Sequence, residues 1–389
     1  MPNAECGTAA PGCAATGKGA CATRAVLQFV DALLRGGAER LLVELAVRLD
    51  RARFAPAVAC FRQEAFGAEL AAAGRTVHVV PKRRAFDVGL LFRLTRLLRR
   101  EKIAAVHAHD LQSATYGLLA GVVARVPVVL TVHGLGIFRQ KRAAWLLPRL
   151  GRWLARVVFV GHWLQRAAAD EFGVRPRRPM VVHNGVDLSA FQPGPPEPEL
   201  RADMRVGEGT LVVGTVGNLR AVKDYPCLLR AFAVARARAA NAVLVFVGEG
   251  AERPALEALA RELGIERAVR FAGARSDVAR LLRLFDIFAL SSQTEGISVA
   301  LLEAMATGLP AVVTHTGGNP EVAIEGRTAH LVPVGDPAQM GEALARLLAD
   351  PARRRAWGQA ARTRVEEEFS LDRMVRAYEA VYEELTRRR

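Results

Sequence analysis

IFALSSQTEGISVALLEAMATGLP, residues 287–310, is the stretch of sequence that decides the fold. Its first four residues are an apolar run of strand length, and a polar loop from Ser291 to Gly296 follows them. The apolar residues from Ile297 to Met305 then predict a helix that ends near Gly308 and Pro310, because glycine and proline terminate helices. A strand, a loop and a helix in this order are typical of one βα unit in a parallel sheet.

The same alternation of short apolar runs and helical patterns extends over the chain on both sides of this stretch. A proline-rich segment, FQPGPPEP at residues 191–198, interrupts it and predicts a linker between two domains. We therefore predict an α/β protein with two Rossmann-like domains whose parallel sheets face each other across a cleft. The predicted divisions are a leader over residues 1–22, an N-terminal domain over 23–190, a linker over 191–200, a C-terminal domain over 201–370 and a C-terminal helix over 371–389 that packs back towards the N-terminal domain.

The leader is rich in small residues and contains three of the five cysteines, at positions 6, 13 and 21, so we predict that it is disordered and binds no metal. It shows no basic segment followed by an apolar core, and we therefore expect no secretory signal and a cytoplasmic protein. No apolar run in the sequence reaches the roughly 20 residues that span a bilayer.

Positive charge is concentrated in one part of the chain. The net charge is +15, and residues 81–166 contribute 16 Lys and Arg against 3 Asp and Glu. Such a basic region implies an anionic partner, which is a membrane surface, a nucleic acid or a polyanionic acceptor, unless the basic face is merely solvated. The region lacks interleaved aromatic residues and any known nucleic-acid-binding module, so we expect no nucleic-acid partner.

Two carboxylates in the opening stretch are candidates for a binding site. Glu295 lies where the loop turns into the predicted helix, and Glu303 lies on an otherwise apolar helix, where an unpaired carboxylate is costly. Sugar and ribose hydroxyls are suitable partners for both groups. The free N–H groups of Gly296, Ile297 and Ser298 at the helix start favour a phosphate. The alternative is an N-cap acid and one structural ion pair.

The spacing of these residues resembles a known family. Glu295 and Glu303 followed by Ala-Met-Ala-Thr-Gly-Leu-Pro resemble the C-terminal motif of retaining GT-B glycosyltransferases of the family-four type, which synthesise bacterial polysaccharides and glycolipids. Further segments resemble the same family in the same order and extend the resemblance over residues 25–370; these are 36–40 (GGAER), 106–110 (VHAHD), 131–134 (TVHG), 182–187 (VHNGVD) and 317–321 (GGNPE).

The resemblance implies roles for individual residues. Glu295 and His133 are the implied catalytic residues beside the transferred sugar, Glu303 would bind the ribose, and Lys223 would bind the diphosphate. Many family members have an arginine directly after the second glycine of the Lys223 motif, where this sequence has Asn218, and Arg220 is the candidate replacement. The remaining implied donor-binding residues are Gly36, Gly37, Arg270 and Phe271, with Gly296, Ile297 and Ser298 at the helix start.

The resemblance also implies a reaction without a metal or another cofactor. The sequence contains no Asp-x-Asp, the motif that metal-dependent transferases of the other main fold use to hold a divalent cation on the diphosphate. Protein cations and helix N–H groups would neutralise the leaving group instead. His107 and His109 are possible metal ligands, but no third ligand is evident.

Substrates are predicted only as classes. The donor is a nucleoside diphosphate sugar, with UDP as the first choice and GDP as the second, and the acceptor is a saccharide or a lipid-linked molecule. A sugar-nucleotide epimerase or a phosphorylase on the same fold is the alternative, and a nucleic-acid-binding protein is a distant one. A nicotinamide-dependent oxidoreductase does not fit, because the first strand is not followed by Gly-x-Gly-x-x-Gly.

Two arginine-rich segments, 88–100 and 138–156, combine basic and large apolar residues. Both are too short to span a bilayer, and each could form a helix with a basic edge and a face that inserts into a membrane or packs in the core. We therefore expect a peripheral protein at the inner face of the cell membrane, bound to anionic lipid through the N-terminal domain.

Overall fold

The computed structural model describes residues 23–34, 36–84, 86–140 and 143–387, and the predicted leader with its three cysteines lies outside them. These residues form two parallel sheets with helices on both faces of each sheet. The prediction of an α/β chain with two Rossmann-like domains is confirmed.

The N-terminal domain contains seven parallel strands. They are β1 (Arg24–Leu33), β2 (Phe54–Gln63), β3 (Val77–Val79), β4 (Ile103–Ala108), β5 (Val128–Val132), β6 (Arg156–Phe159) and β7 (Pro179–Val181), connected by helices α1 (Gly37–Arg48), α2 (Gly67–Ala72), α3 (Val88–Arg100), α4 (Leu111–Ala124), α5 (Ala143–Leu150) and α6 (His162–Asp170). The strand order is β3-β2-β1-β4-β5-β6-β7. The central strands are apolar along most of their length, as expected where helices cover both faces of a parallel sheet.

The C-terminal domain repeats this architecture with six strands. They are β8 (Leu211–Val216), β9 (Ala242–Val247), β10 (Val269–Phe271), β11 (Ile287–Leu290), β12 (Ala311–Thr314) and β13 (Ala329–Val332), and the helices are α7 (Pro198–Asp203), α8 (Tyr225–Arg236), α9 (Arg253–Glu262), α10 (Val278–Leu282), α11 (Val299–Ala306), α12 (Asn319–Val322), α13 (Pro337–Ala349), α14 (Pro351–Glu368) and α15 (Leu371–Arg387). Their order is β10-β9-β8-β11-β12-β13. In the first sheet, successive strands are added on one side from β1 to β3 and on the other side from β4 onwards. The second sheet has the same change of direction between β8 and β11. Ligands of open α/β sheets bind at such points.

Helix α7 begins at Pro198, inside the segment that the sequence predicts to be a linker. Its Leu200 side chain is buried in the core cluster that also contains residues of both domains. The proline-rich residues 192–197 before it form no helix or strand. The extended connection between the domains is therefore shorter than predicted, because proline is favoured at the first position of a helix.

The last helix, α15, packs on the N-terminal sheet. Its apolar face includes Leu371, Met374 and Leu385, which are buried in one cluster with residues of β1, β2, β5 and β6. Two tyrosines of the same face, Tyr378 and Tyr382, are also buried there. A helix at the end of the chain thus covers the domain at its start.

The two tyrosines bring a polar network into this apolar contact. The amide nitrogen of Gln28 donates to the Tyr382 hydroxyl at 2.9 Å, and Nδ1 of His107 lies 2.6 Å from the same hydroxyl. Nε2 of His107 lies 2.7 Å from Oγ1 of Thr131, which lies 3.0 Å from the Tyr378 hydroxyl. Buried polar groups that are fully hydrogen-bonded specify one packing arrangement, because any shift of α15 breaks several bonds.

The two arginine-rich segments differ in structure. Residues 88–100 form α3, and its Leu90, Leu94, Leu97 and Leu98 side chains are buried in the core. The possibility of one helix over 138–156 is wrong, because α5 covers only Ala143–Leu150 and Arg156 begins β6. Gly151 follows α5, and Phe138, Leu150 and Leu154 are core residues. No helix among the described residues is long and apolar enough to cross a membrane.

The buried network predicts a pH dependence of stability. Burial, and secondarily the charge of His133, lowers the pKa of His107 to about 3. An unfolded histidine titrates near pH 6.5, so below that pH the unfolded chain binds a proton that the folded chain does not. The free energy of unfolding should therefore fall as the pH decreases from about 6.5, by up to about 1.4 kcal/mol per pH unit for this residue.

Urea unfolding between about pH 7 and pH 5 measures this slope. We expect His107→Gln to lose a large part of it, whereas His315→Gln, which replaces an exposed histidine of the C-terminal domain, keeps it. Equal slopes for wild type and His107→Gln would contradict a neutral, buried imidazole at this position.

Candidate active site

The two domains meet at a loop of the C-terminal domain that follows β11. A side chain on Gly296 would place its Cβ 2.2 Å from the main-chain oxygen of His133, at the end of β5. On the other side, Gly317 has a φ of +57°, and a Cβ there would lie 2.0 Å from the main-chain oxygen of Glu295. A Cβ on Gly318 would lie 2.0 Å from the oxygen of Gly296. Only glycine permits these close approaches, and they hold Glu295 beside the N-terminal domain.

Glu295 and Lys223 are ion-paired in this loop. Nζ of Lys223, in the short turn after β8, donates to Oε1 of Glu295 at 2.5 Å. The hydroxyl of Ser292 donates to the same oxygen at 2.6 Å. Both charged side chains are largely buried. The sequence places them in separate motifs 72 residues apart, and the structure brings them into contact.

Glu303 lies on α11 and faces α1 of the N-terminal domain. Burial raises its pKa to about 8, while Arg40 lowers it and Glu44 raises it. Among the described residues, the carboxyl group of Glu303 makes no hydrogen bond, and the residue is partly accessible. The group is therefore protonated at neutral pH and is available to a ligand.

His133 belongs to a chain of hydrogen bonds that starts at β1. The amide oxygen of Gln28 lies 2.9 Å from Nε2 of His109, and Nδ1 of His109 lies 3.1 Å from Nε2 of His133. Because an amide oxygen only accepts, Nε2 of His109 must carry the proton, and its Nδ1 accepts from Nε2 of His133. His133 therefore has an unprotonated Nδ1.

That Nδ1 atom is buried and has no hydrogen-bond partner among the described residues. Burial lowers the pKa of His133 to about 4, so the imidazole is neutral at physiological pH. Burial and the neighbouring histidines also hold the pKa of His109 well below its usual range. The neutral Nδ1 at the domain junction can chemically accept a hydrogen bond.

The glycine loop before α1 lies against the start of α11. Gly36 caps α1, and a Cβ on Gly37 would lie 3.4 Å from Cγ2 of Val299. Arg220 is exposed after β8 and lowers the pKa of Glu39, which burial raises. Among the described residues the Arg220 guanidinium has no ion pair, so it is available to an anion.

Arg270 and Phe271 have internal partners. The guanidinium of Arg270 donates to the main-chain oxygens of Met204, Arg205, Arg267 and Val269 at 2.8 to 3.3 Å. Phe271 stacks on Phe246 with ring centroids 5.0 Å apart. These contacts favour a structural role for Arg270. A role of Phe271 in binding the nucleotide base stays a prediction.

Helix α11 begins at Val299, two residues later than predicted. The Ser298 side chain accepts from the N–H of Leu301 at 3.3 Å and so caps the helix. Ile297 is buried in the core, and its main-chain oxygen accepts from the Asn184 amide of the N-terminal domain at 2.9 Å. Gly296, Ile297 and Ser298 therefore form the extended entry to the helix, which points into the junction.

Sequence analysis assigned no role to several residues of the junction. Glu321 accepts from the N–H groups of His162 and Trp163 at the start of α6, and from Nε2 of His183 at 3.2 Å. These bonds lower its pKa. Glu321 and Asn184 lie in motifs that resemble the family, and this resemblance is the feature of the sequence that could have marked them as site residues. Gln28 lies in an ordinary strand pattern, and nothing in the sequence marks it.

The structure contains no group of three His, Cys, Asp or Glu residues that could hold a metal ion within the ranges it describes. His107 and His109, the possible metal ligands, are hydrogen-bonded to Tyr382, Thr131, Gln28 and His133.

Two family profiles match the chain, one per domain. Residues 35–190 match the family described as Glycosyltransferase Family 4, and residues 196–364 match the family described as Glycosyl transferases group 1. The boundary between the matches falls in the proline-rich segment.

Named proteins similar to this chain include an N-acetyl-alpha-D-glucosaminyl L-malate synthase of Bacillus anthracis, 30% identical over 309 residues, or 78% of this chain and 80% of that protein. A GDP-mannose-dependent alpha-(1-6)-phosphatidylinositol monomannoside mannosyltransferase of Mycobacterium tuberculosis is 30% identical over 68% of this chain and 74% of its own length. Among solved structures, Anabaena HepE in complex with UDP and glucose has a TM-score of 0.81 at 21% identity, covering 92% of this chain and 98% of that one.

The fold, the order of the motifs and these matches lead to one assignment. The chain belongs to the family-four glycosyltransferases of the GT-B fold.

Proposed function

We propose that this glycosyltransferase moves a sugar from a nucleoside diphosphate to a saccharide or lipid-linked acceptor, with retention of anomeric configuration, in the synthesis of cell-surface polysaccharide or glycolipid. The observation that carries the proposal is the convergence of Lys223, Glu295 and His133 where the carboxyl ends of the two sheets meet. The relatives leave the nucleotide open, since the mycobacterial enzyme is GDP-mannose-dependent and HepE was solved with UDP. We take UDP as the first choice and GDP as the second.

The ion pair between Lys223 and Glu295 suggests how the donor would be bound. Lys223 is neutralised by Glu295 until an anion arrives. A diphosphate carries more charge than one carboxylate, so it would take over Lys223, with Arg220 beside it, and release Glu295 to accept hydrogen bonds from the sugar hydroxyls. Nδ1 of His133 would accept from another hydroxyl of the same sugar.

The remaining donor contacts follow from the same placement. Glu303 would bind the ribose hydroxyls, because it is the carboxyl group on α11 without a hydrogen bond among the described residues. Gly36 and Gly37 allow the backbone to approach the phosphates without a side chain in the way. In the proposed reaction, the acceptor oxygen bonds to the anomeric carbon on the face that the diphosphate leaves. The C–O bond to the diphosphate breaks, its electron pair stays on the phosphate oxygen, and the acceptor proton passes to that oxygen.

A sugar-nucleotide epimerase or a phosphorylase on the same fold is the second candidate. Both would use the same donor site, so donor binding does not separate them from a transferase. Mass-spectrometric detection of a glycosylated acceptor would exclude both.

Loss of Lys223 or Glu303 should weaken donor binding. We expect Lys223→Ala and Glu303→Gln each to lower nucleotide affinity roughly ten- to a hundredfold. Lys223→Ala removes a charged partner of the diphosphate. Glu303→Gln removes a carboxyl group that ribose hydroxyls would ionise by donating to it, since hydrogen bonds to a carboxylate favour its charged form. Calorimetric titration with UDP and GDP measures the change. Arg238→Ala and Glu342→Gln, which replace exposed residues of the same domain, serve as matched controls.

Stability measurements separate a binding defect from unfolding in these variants. Since burial raises the pKa of Glu303, the folded wild type is destabilised as the pH rises from about 4.5 through about 8, and Glu303→Gln should be the more stable protein above that pH. Unchanged nucleotide affinity in both Lys223→Ala and Glu303→Gln would place the donor site elsewhere.

Activity should persist in EDTA. Lys223, Arg220 and main-chain N–H groups are the proposed counter-charges of the leaving diphosphate, so no divalent cation is needed. Sugar transfer assayed with and without chelator tests this expectation. Complete loss of transfer on chelation, restored by Mn²⁺ or Mg²⁺, would overturn it.

We also propose that the protein is cytoplasmic and peripheral at the inner face of the membrane. The leucines of α3 are buried, but its outer face carries Val88, Phe92 and Arg96 at intervals of four residues, and the Phe92 side chain is 72% exposed. Phe86, just before the helix, is also exposed. Attraction to an anionic leaflet contributes about 1 kcal/mol for each surface Lys or Arg. The exposed aromatic rings can in addition insert into the apolar part of the leaflet.

Vesicle co-sedimentation tests this docking surface. Wild type should bind vesicles that contain anionic lipid, and binding should fall as salt increases. We expect the double variant Phe92→Ser and Arg96→Glu to lose most of the binding, whereas Val334→Ser, at an exposed valine of the C-terminal domain, binds like wild type. Equal sedimentation with neutral and anionic vesicles would contradict the proposal.

A further inference from the structure

Two connected cavities lie at the carboxyl end of the N-terminal sheet, beside the junction. The first, of about 210 Å³, is lined by residues that include Asp31, Glu39, His109 and Asp110, so it adjoins the histidine chain that ends at His133. The second, of about 360 Å³, is lined by Asp31, Phe61, Arg62, Lys82, Arg83, Arg84 and Gln112. Asp31 and Arg62 line both cavities, so one molecule can extend from the histidines into the second cavity.

The second cavity is strongly cationic. Four of its seven lining residues are basic, and Asp31 is the single acid among them. Within the described part of the chain, the side chains of Arg62, Arg83 and Arg84 make no ion pair. Nearby Asp87 does not neutralise them with its side chain, since it accepts from the N–H groups of Arg83 and Leu90 and pairs with Arg93.

The Lys82 side chain and the backbone of the loop that follows it are held in place by hydrogen bonds. Nζ of Lys82 donates to the Gln112 amide oxygen and lies 5.6 Å from the centre of the Tyr116 ring. The amide nitrogen of Gln112 donates to Asp31 at 3.3 Å. The bond from the Arg83 N–H to Asp87 is 3.0 Å long and fixes the loop that carries Arg83 and Arg84. One fixed ammonium group and three exposed guanidinium groups without carboxylate partners give this cavity the charge of an anion site.

We propose that the second cavity is the acceptor subsite and that it selects acceptors carrying a phosphate or diphosphate group; this inference rests on the proposed function. Arg62, Lys82, Arg83 and Arg84 bind the anionic group, as guanidinium and ammonium groups do for phosphates. Asp31, between the two cavities, accepts a hydrogen bond from the hydroxyl end of the acceptor. The hydroxyl then faces the junction, while the phosphate stays on the outer, basic side.

The soluble test uses inorganic pyrophosphate as the probe. Calorimetry is done in a Lys223→Ala background, so that the probe does not report the donor site. We expect the double variant Arg83→Gln and Arg84→Gln to bind pyrophosphate roughly tenfold or more weakly than the background protein. Arg177→Gln is the control, because it replaces an exposed arginine before β7, at the opposite end of the sheet.

The lipid test uses phosphatidylcholine vesicles with either phosphatidic acid or phosphatidylserine. A loss of binding in the Arg83 and Arg84 double variant that is specific to phosphatidic acid identifies a lipid phosphate as the source. If the double variant binds pyrophosphate more weakly but keeps its binding to phosphatidic acid vesicles, the phosphate belongs to a soluble acceptor. The proposal would be overturned if the double variant lost vesicle binding equally with both lipids and bound pyrophosphate like the background protein. The arginines would then contribute only a general attraction to anionic membranes.

Nucleotide binding with Lys223 intact separates this proposal from the proposed function. The Arg83 and Arg84 double variant should bind UDP or GDP like wild type. If neither nucleotide binds wild type, the donor assignment fails. If a nucleotide binds, but the double variant matches Arg177→Gln in pyrophosphate affinity and shows no loss of vesicle binding specific to phosphatidic acid, only the acceptor subsite fails.

Discussion

The contact between Gly296 and the main-chain oxygen of His133 is the constraint on which the cleft depends. It joins backbone atoms of two domains, and it leaves no space for a side chain at Gly296. Gly317 and Gly318 support the same loop from the C-terminal domain. The position of Glu295 relative to His133 therefore follows from main-chain packing and not from the rotamer of a flexible side chain.

Directional bonds around this contact define how the domains are oriented. The Asn184 amide donates to the main chain of Ile297, and Glu321 accepts from the first N–H groups of α6. Within the N-terminal domain, Tyr378 and Tyr382 hold the last helix through Thr131 and His107. Hydrogen bonds of this kind fail after small displacements, so they specify one arrangement more strictly than apolar contact alone.

Burial and ion pairing set the charge state of the residues at the domain junction. His133 is neutral, Glu303 is protonated at neutral pH, and Lys223 is neutralised by Glu295. Among the described residues, the arginines left without a carboxylate partner near the cleft include Arg220 in the C-terminal domain and Arg62, Arg83 and Arg84 in the N-terminal domain. The cleft thus offers positive charge at two separate places, with neutral hydrogen-bonding groups between them.

Much of the fold follows from local patterns. The strand–loop–helix pattern of residues 287–310, repeated on both sides of a proline-rich break, predicts two parallel α/β domains, because apolar runs and glycine or proline positions act over a few residues. The same motifs identify Glu295, Glu303 and Lys223 as a chemically related set. The sequence does not reveal that Lys223 and Glu295 pair directly, since this depends on how two loops of one sheet approach each other.

The sequence by itself determined the class of fold and, through its motifs, the family to which the chain belongs. The tertiary structure alone decided which side chains are available. It binds Arg270 to four main-chain oxygens, divides residues 138–156 between a short helix and a strand, and links Gln28 to Tyr382 across 354 residues. Periodicity describes which face of an element is buried, whereas the partner of a polar side chain depends on the packing of elements that are distant in the chain.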